Sequence, residues 1–409
     1  MASILWLSLL LPYPPKGGVS QRSYHLLREV ATRHDVHLLA FNQPSLLDSD
    51  DKVRTAVRAL GEFCAEVTAL ELPYRSRWWP ALRSALSLQP YNVVWCASAR
   101  MAEAARAACA ARHYDAVHFD TIGLAQYLPQ VTGRCFLNHH NVESQMMLRR
   151  AAQESGLAKK AYFWLEGWKL KRYEEQMCGR FSLNFAVSRL DAERLKTVAP
   201  AAAVEVIPNG VDLDYFRPAA TPSGDPRSLI FVGGLTWYPN VDAMHFFLAE
   251  VWPRLRARDP RLRLTIVGKN PPERLRRLGA EAGGVTFTGF VDDIRPYVDA
   301  AGIYVCPIRD GGGTKLKMLD ALAMAKPIVA HPVACEGLDV AAGRHVLQAT
   351  SPEEFVEQIL RLVGDAPLRA RLAAEGRRLV EARYDFKQIG AKLAGHLANG
   401  CPSQGRCAA

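Results

Sequence analysis

Short apolar runs alternate with amphipathic stretches along both halves of the chain. The apolar runs of the amino half are ILWLSLLL, VHLLAF, AVHFD and RCFLNHH, and the first is followed by the amphipathic stretch GVSQRSYHLLREVATR. The carboxyl half repeats the scheme with SLIFVGG, LRLTIVG, VTFTGF, IYVCPI, PIVAHP and HVLQAT. Apolar runs separated by helical stretches predict parallel strands covered by helices. The pattern therefore predicts two doubly wound α/β domains.

A stretch rich in Pro, Gly and Ser lies between the two halves. It reads AAAVEVIPNGVDLDYFRPAATPSGDPRS, a composition typical of an interdomain connection. A length of 409 residues also suits two domains. We expect a first domain over 1–208, a second over 209–385, and a carboxyl-terminal helix that crosses back to the first domain. That helix and a flexible tail make up 386–409.

Composition and cysteine usage narrow the class of protein. The chain is 49% hydrophobic and 22% charged, and no apolar run reaches the roughly 20 residues that span a bilayer. The apolar opening has no preceding basic residue and no cleavage site, so it predicts a buried strand and not a signal peptide. Nine cysteines occur without a CxxC pair, which favours a reducing cytoplasm and disfavours a zinc site.

The net charge of +10 is concentrated in the amino half, with +7 over 1–198 and +3 over 199–409. Basic surfaces suit nucleic acid, anionic membranes or phosphate-bearing substrates. Without a zinc finger, an RNP signature or a lysine-rich arm, we expect no nucleic-acid partner. The stretch KKAYFWLEGWKLKRYEEQM, from Lys159, mixes basic and aromatic residues as an interfacial helix does, although its apolar residues could equally pack on the sheet.

The most informative segment is RDGGGTKLKMLDALAMAKPIV. Three glycines between a strand and a helix expose backbone N–H groups at the positive end of the helix, which predicts an anion site. The threonine is a good helix cap, the two lysines can neutralise a diphosphate, and the aspartate can accept from a ribose diol. The alternative is a flexible turn before a solvated basic helix start. The candidate donor residues are Gly311, Gly312, Gly313, Thr314, Lys315, Lys317 and Asp320.

A second glycine pair, Gly17-Gly18, follows the first strand and opens the first helix. It is either another phosphate-facing turn or a plain connection, because it lacks the GxGxxG pattern of dinucleotide sites. The corresponding place in the second domain carries the longer glycine loop. That correspondence favours a phosphate-facing role for both, so Gly17 and Gly18 are also candidate donor-binding residues.

Polar residues also end two strands of the amino half. In AVHFDTIGLA, Asp120 stands at the strand end and His118 lies on the same side two positions earlier. In LNHHNVESQMM, the residues His140, Asn141 and Glu143 stand where a strand gives way to a helix. These side chains are candidates to touch a sugar or an acceptor. The alternative is that they only form local helix caps.

Several motifs together carry a resemblance to a known family. They are GG after the first strand, IPNGVDLDYFRP, LIFVGGLTWYPNVDAM, LTIVGKNPP, VTFTGFVDDIRPYVDAAGIYVCP and GGGTKLKMLDALAMAKPIVAHPVACEGL. Their order and spacing resemble the retaining GT-B glycosyltransferases of family 4, or group 1, over nearly the whole chain. The glycine loop is similar to that of a branch associated with bacterial exopolysaccharide synthesis. The resemblance implies two Rossmann-like domains facing a cleft.

The chain departs from that family at two places. The family has two glutamates separated by seven residues, where this chain has Gly312 and Asp320. The family also commonly has cations in the first loop of the second domain, where GGLTWYPN has none. The resemblance therefore implies that Lys315 and Lys317 carry the diphosphate. The pair Asp212 and Asp214 has metal-binding DxD spacing, but it lies in a connection that the family uses structurally.

The resemblance implies sugar transfer from a nucleoside diphosphate donor to a hydroxyl of a glycan or lipid-linked acceptor, with retention and without a metal or other cofactor. The implied catalytic residues are Asp120, His140 and Lys315. We expect a cytoplasmic enzyme, with an anionic membrane face as a candidate peripheral partner. Two alternatives stay open, a nucleotide-sugar epimerase of the same architecture and a non-catalytic nucleotide-sugar binding subunit.

Overall fold

The computed structural model describes residues 1–44, 46–73, 78–219 and 224–399. The chain forms two compact units. Unit 1 combines 1–209 with the carboxyl-terminal segment that begins at Phe386, and unit 2 spans Gly210–Asp385. The expected flexible tail beyond Asn399 lies outside the described residues. Of the helices in the described ranges, none has both the length and the apolar character needed to cross a membrane.

Unit 1 has a seven-stranded parallel sheet in the order β3-β2-β1-β4-β5-β6-β7. Its strands are β1 (Ser3–Ser8), β2 (Asp35–Asn42), β3 (Glu66–Glu71), β4 (Ala116–Phe119), β5 (Arg134–His139), β6 (Leu183–Ala186) and β7 (Val204–Val206). Its first eight helices are α1 (Gly18–Ala31), α2 (Asp50–Gly61), α3 (Trp78–Ala85), α4 (Tyr91–Trp95), α5 (Ala99–Ala111), α6 (Glu143–Gln153), α7 (Leu157–Cys178) and α8 (Arg189–Val198). A 3-10 segment, Ile122–Gln130, follows β4.

The central strands of unit 1, β1, β4, β5 and β6, are buried on both faces, as strands of parallel sheets usually are, whereas the edge strands β3 and β7 are partly exposed. Alternate residues of β1 enter different cores. Leu5 and Leu7 pack in one apolar cluster, and Ile4 and Trp6 pack in another, which also contains residues of α1. The apolar run at the start of the chain is therefore a central strand.

Unit 2 has a six-stranded parallel sheet in the order β10-β9-β8-β11-β12-β13. Its strands are β8 (Asp225–Val232), β9 (Arg263–Val267), β10 (Val285–Gly289), β11 (Ala301–Cys306), β12 (Ile328–Ala330) and β13 (Leu347–Gln348). Its helices are α9 (Tyr238–Phe246), α10 (Trp252–Arg258), α11 (Glu273–Ala282), α12 (Arg295–Ala300), α13 (Leu316–Ala323), α14 (Pro332–Cys335), α15 (Pro352–Gly364) and α16 (Ala366–Arg383).

The amphipathic stretch VDAMHFFLAEVWPRLRAR is not one regular helix. A π-helical segment, Phe247–Val251, separates α9 from α10. Pro253, the second residue of α10, lies two residues after the end of this segment. Proline has no N–H to donate, and its ring crowds the carbonyl one turn earlier, so the backbone widens there.

The last helix of the described chain, α17 (Phe386–Asn399), belongs to unit 1. It packs against α1, where the ring of Phe386 stacks on His25 with centroids 4.6 Å apart. Gly390 faces Glu29 so closely that a Cβ at this glycine would collide with the glutamate side chain. The chain thus returns to its first unit after completing the second.

Both sheets have a topological switch point, where the strand order reverses. It lies between β1 and β4 in unit 1 and between β8 and β11 in unit 2. In open parallel sheets the connections leave the carboxyl ends of these two strands in opposite directions, which opens a crevice for ligands. Functional side chains are expected at these two places.

Candidate functional site

The switch point of unit 1 surrounds one buried carboxylate. Asp120 follows β4 and is 2% exposed. Its Oδ2 accepts hydrogen bonds from Ser23 Oγ at 2.7 Å and from Ser8 Oγ at 3.3 Å. Ser8 ends β1 and Ser23 lies in α1. The end of strand β1, helix α1 and the end of strand β4 thus meet at this carboxylate.

Strand β5 brings two more polar side chains to Asp120. The Nδ2 of Asn138 donates to the backbone carbonyl of Asp120 at 3.2 Å and lies 3.4 Å from its Oδ1. The Nε2 of His140 lies 3.4 Å from the same Oδ1. Burial alone would raise the pKa of Asp120, but His140, His118 and the Ser23 hydrogen bond together hold it below its usual value. The carboxylate is therefore kept ionised next to a histidine.

An arginine completes this group of polar side chains. Arg22 of α1 is 1% exposed and donates to Asn138 Oδ1 at 2.9 Å. Burial lowers the pKa of Arg22 to about 10, and Asp120 acts in the opposite direction. The guanidinium is thus still charged at neutral pH. We call the following residues the unit 1 cluster: Ser8, Arg22, Ser23, Asp120, Asn138 and His140.

Two other histidines of these strands lie deeper in the unit. The ring of His118 is 3.8 Å from that of Trp6 and also stacks near Phe185, and burial lowers its pKa to about 3. Neither of its ring nitrogens has a hydrogen-bond partner among the described residues. His139 points to the opposite face of β5, where its Nε2 lies 3.0 Å from Asn184 Oδ1. His118 is buried against Trp6 and Phe185, deeper in the unit than the unit 1 cluster. Its role in facing a sugar stays a prediction.

Helix α6 begins beside the cluster with an unusual pair of carboxylates. Burial and the neighbouring Glu174 raise the pKa of Glu143, while a hydrogen bond with Asn141 lowers it. Burial likewise raises the pKa of Glu174, against hydrogen bonds from the Ser144 backbone N–H, at 3.3 Å, and the Ser144 hydroxyl. Burial disfavours the ionised form of a carboxyl group, so both groups hold their protons to a higher pH than exposed glutamates do. Asn141 and Glu143, one and three residues beyond His140, thus belong to one local network.

The glycine pair of unit 1 stands at the open start of α1. Gly17 is the N-cap, with φ of 109°, a backbone conformation that favours glycine. Gly18 is the first helical residue, and both glycines are exposed. The first turn has no acidic residue and no side-chain cap. Its N–H groups therefore face outward from a positive helix end.

In unit 2 the glycine loop follows β11 and leads into α13. Gly311 and Gly313 have φ of 114° and 61°, so two of its glycines adopt backbone conformations that other residues avoid. The predicted cap at Thr314 is wrong, because α13 begins at Leu316 and its N-cap is Lys315, without a side-chain cap. Gly312 stands between the two left-handed glycines.

The two lysines of this loop make different contacts. Lys315 Nζ turns back and donates to the carbonyls of Gly312 and Gly313, each at 3.0 Å. Lys317 Nζ donates to Asn240 Oδ1 at 2.6 Å and lies 4.5 Å from the centre of the Phe231 ring. Lys315 therefore shapes the loop.

Lys317 lies where the ends of β8 and β11 meet. Gly233, directly after β8, leaves room for its ammonium, since a Cβ there would collide with Nζ. At Gly268, after β9, an added Cβ would likewise collide with the carbonyl oxygen of Gly233. Burial lowers the pKa of Lys317 to about 8, and Lys315 adds to this effect. A bound anion would stabilise the charged form, so this lysine is suited to a diphosphate.

The candidate acidic residues of unit 2 make different contacts. Asp320 is the fifth residue of α13, and its carboxylate raises the pKa of Lys317. Asp310 Oδ1 accepts from the backbone N–H of Gly311 at 2.6 Å. Asp212, of the DxD pair, accepts from the N–H groups of Asp214 and Tyr215, as in a turn. The described residues contain no group of three His, Cys, Asp or Glu arranged to hold a metal.

Sequence reasoning missed several functional candidates. The arginine in SQRS of α1 could have been questioned, because it falls among apolar positions of an amphipathic helix. Asn138 could have been inferred from His140, two positions later on the same side of the strand. Nothing local marks Ser8 or Asn240, because their roles depend on neighbours distant in sequence. The missed residues are Ser8, Arg22, Ser23, Asn138, Asn240 and Asp310.

Two family models match the chain, one in each unit. Residues 16–215 match glycosyltransferase family 4, and residues 226–365 match glycosyl transferases group 1. The chain belongs to this glycosyltransferase family. The first matched segment includes the glycine pair and the unit 1 cluster except Ser8, and the second includes the glycine loop and Lys317.

The curated relatives match this chain over about half of its length. A phosphatidyl-myo-inositol mannosyltransferase of Mycolicibacterium smegmatis is 28% identical over 55% of this chain. A GDP-mannose-dependent alpha-(1-6)-phosphatidylinositol monomannoside mannosyltransferase of Mycobacterium tuberculosis is 29% identical over 48% of it. The matches span 58% and 56% of the lengths of these two relatives.

Solved structures show that the family member has a two-domain, Rossmann-like GT-B fold. Sucrose-phosphate synthase from Thermosynechococcus elongatus matches with a TM-score of 0.69 and 17% identity, over 97% of this chain and 98% of that one. Anabaena Alr3699/HepE, in complex with UDP and glucose, matches with a TM-score of 0.69 and 15% identity, over 97% and 100%.

Proposed function

We propose that this protein transfers a sugar from a nucleoside diphosphate donor to a hydroxyl acceptor, with retention at the anomeric carbon, in the synthesis of an exopolysaccharide or another surface glycan. The observation that carries the proposal is the position of Lys317. Its ammonium lies between strand ends, next to a loop of three glycines. Such an arrangement of one cation and open backbone N–H groups suits a diphosphate.

In the proposed reaction, unit 2 binds the donor and stabilises the leaving diphosphate. Negative charge grows on the phosphate oxygens as the glycosidic bond breaks, and Lys317 is placed to strengthen its interaction as this happens. Lys315 keeps the carbonyls of Gly312 and Gly313 turned toward itself, and the N–H groups of these two glycines are the proposed donor contacts, since the N–H of Gly311 is bound by Asp310. Asp320 is the proposed ribose contact. No metal or other cofactor is required by these steps.

Unit 1 supplies the acceptor side of the proposal. His140 and Asp120 form a hydrogen-bonding pair that can orient a hydroxyl, and Asn141 and Glu143 extend the polar surface beyond it. Gly17 and Gly18 present N–H groups at a positive helix end. The relatives whose names include phosphatidylinositol acceptors support a lipid-linked acceptor for this chain as well.

We also propose that the protein works in the cytoplasm as a peripheral protein of the inner membrane face. Helix α7 exposes Trp164 and Trp168, and α3 exposes Trp78 and Trp79. Exposed basic residues accompany the tryptophans of α7. Tryptophan next to lysine and arginine is typical of segments that lie in an anionic interface.

A donor screen tests the function directly. Purified protein is incubated with UDP-, GDP- and ADP-sugars in the presence of EDTA, and release of nucleoside diphosphate is measured by chromatography. We expect slow release from one donor without added acceptor, because water can replace the hydroxyl. Isomerised donor with no release would indicate an epimerase, binding without turnover would indicate a binding subunit, and full loss in EDTA with recovery in manganese would contradict metal independence.

A further inference from the structure

The unit 1 cluster contains a buried cation whose contacts extend beyond the proposed acceptor site. We propose that Arg22 is a positioning residue, which orients Asn138 and thereby the Asp120–His140 pair, and which fixes the chain segment leaving unit 1 to the same cluster. The first part rests on the proposed sugar transfer for its effect on rate. Its structural part can be measured without that activity.

Four hydrogen bonds define the environment of Arg22. Its Nη2 donates to Asn138 Oδ1 at 2.9 Å and to the carbonyl of Ile207 at 2.8 Å. Its Nη1 donates to the carbonyl of Pro208 at 2.7 Å and to Asn209 Oδ1 at 3.1 Å. A planar guanidinium can make these paired contacts in fixed directions, and a lysine ammonium cannot.

The contact with Asn138 decides which way its amide faces. Because a guanidinium only donates, the amide must present Oδ1 to Arg22, and its Nδ2 then faces Asp120 and His140. The second oxygen of Asp120 is held by serine hydroxyls, so Oδ1 is left for Nε2 of His140. A proton on Nε2 leaves Nδ1 as the acceptor for a substrate hydroxyl. Arg22 thus acts on the proposed site through Asn138.

The same guanidinium holds the exit of unit 1. Ile207, Pro208 and Asn209 are the last residues of this unit before the chain enters unit 2 at Gly210. Arg22 contacts all three. One side chain therefore connects this segment to the residue that orients His140.

Stability alone does not account for this arginine. Its Nε has no hydrogen-bond partner in the described part of the chain, although it is buried. A buried donor without a partner lowers stability, and an apolar side chain of similar size often replaces a buried charge without loss. The loss of stability caused by the unpaired Nε favours a role for Arg22 in orienting its neighbours.

The test compares Arg22→Met and Arg22→Lys with Lys326→Met as a matched control. Lys326 is also a buried cation, but it donates to the carbonyls of Asp299 and Ala301, each at 2.9 Å, within unit 2. We expect Arg22→Met to lower kcat by about 100-fold, because small displacements of positioned groups have effects of this size. The donor KM should change by less than about twofold, because the diphosphate residues lie in unit 2. Lys326→Met should lower the melting temperature and leave kcat unchanged.

Arg22→Lys keeps a buried cation and guards against a misfolded Met variant. We expect kcat about tenfold below wild type, since the charge remains while the paired geometry is lost. A second readout is the NMR spectrum of the imidazole nitrogens of His140 in histidine-labelled protein at one fixed pH. Its tautomer signals should change in both Arg22 variants and not in Lys326→Met.

The outcomes separate the two proposals. If the folded Arg22 variants keep wild-type kcat and unchanged His140 signals, the positioning role is overturned. If kcat of the Arg22 variants falls only in proportion to the fraction of protein that is unfolded, while the signals of His140 in the folded fraction stay unchanged, Arg22 is only structural and the proposal again fails. If wild type turns over no donor while the His140 signals still change in the Arg22 variants, the positioning role stands and the proposed sugar transfer fails.

Discussion

At the scale of single residues, Lys315, at the end of the glycine loop, and Lys317, in the first turn of α13, differ in the groups that their ammonium ions contact. Lys315 donates to loop carbonyls, which already compensate its charge in part. Lys317 faces one amide oxygen and one aromatic ring, and its lowered pKa shows that its charged form is less stabilised than in water. A diphosphate would improve the environment of Lys317 more than that of Lys315.

We therefore predict a graded effect of substitutions in this loop. Lys317→Ala should lower kcat by about 100-fold, since its interaction strengthens as the diphosphate leaves. Lys315→Ala should cause a smaller loss, because its main contacts are to the loop. Asp320→Ala should chiefly raise the donor KM, because a ribose contact is present in ground and transition states alike. Steady-state kinetics on the donor from the screen measures all three.

Two results would count against this assignment. Near wild-type kcat in both lysine variants would mean that the diphosphate binds elsewhere. Equal losses in both would mean that the different contacts seen here do not matter for turnover. Asn240→Ala serves as the control for lost packing around Lys317, because it removes the partner of the ammonium and keeps the charge.

Part of the residue-scale picture could be predicted from the sequence. Strand ends with polar residues pointed to Asp120 and His140, because carboxyl ends of parallel strands share one sheet edge. Arg22 could not be found in this way, since its partners lie more than a hundred residues away in sequence. The separate roles of Lys315 and Lys317 were also hidden, because side-chain direction within an irregular loop does not follow a period.

At the scale of elements, α7 divides its basic and aromatic residues between two faces. Trp164 and Trp168 are 58% and 38% exposed. Lys169, which sequence reasoning counted with the interfacial residues, is buried, and it donates to Glu166 at 3.1 Å and to the carbonyl of Ser84 at 2.7 Å. That part of the prediction is wrong, because this lysine faces α3. The contact joins the two helices that expose tryptophan.

Helix α3 adds to this surface an apolar row that composition did not reveal. Trp78 and Leu82 of the helix and Leu86, directly after it, recur every fourth residue, and all three are exposed. Large apolar side chains grouped on a surface mark sites of interaction. The exposed basic residues of α7 are Lys159, Lys160, Lys171 and Arg172. Their charge favours an anionic lipid surface as the partner.

We predict that the tryptophans of α7 drive binding to anionic vesicles. Trp164→Ala with Trp168→Ala should weaken co-sedimentation with phosphatidylglycerol vesicles at low salt by about tenfold, since buried apolar area is lost from the interface. Trp237→Ala, which removes an exposed tryptophan of unit 2, is the matched control and should change little. Circular dichroism establishes that each variant is folded. Absence of wild-type binding to these vesicles would refute the docking surface.

At the scale of the whole molecule, the alternation of apolar runs and helices predicted the α/β class and two Rossmann-like domains, and the fold confirms this. Strand order could not be derived from the alternation, because the same elements can be wound in several orders. The resemblance supplied the GT-B architecture through motif order. The π-helical segment within VDAMHFFLAEVWPRLRAR escaped prediction, because periodicity indicates a helix without registering one widened turn.

The path of the chain makes unit 1 depend on both ends of the sequence. Four large side chains of α17 enter the core beside α1, and unit 2 is one continuous segment, Gly210–Asp385. Burial of four such side chains is worth roughly 6–12 kcal/mol, which is comparable with the stability of a whole domain. The four side chains are Phe386, Ile389, Leu393 and Leu397.

We therefore predict that a chain ending at Asp385 loses unit 1 and keeps unit 2. Hydrogen exchange should show amides of 1–209 exchanging rapidly while those of 210–385 stay protected, because the missing helix uncovers one core only. A chain ending at Asn399 keeps α17 and serves as the control, with protection in both units.

The chain ending at Asp385 should also still bind the nucleoside diphosphate found in the donor screen, since Lys317 and the glycine loop belong to unit 2. Continued protection of 1–209 in the shorter chain would show that α17 is dispensable for unit 1, and loss of protection in 210–385 would show that the two units do not fold independently.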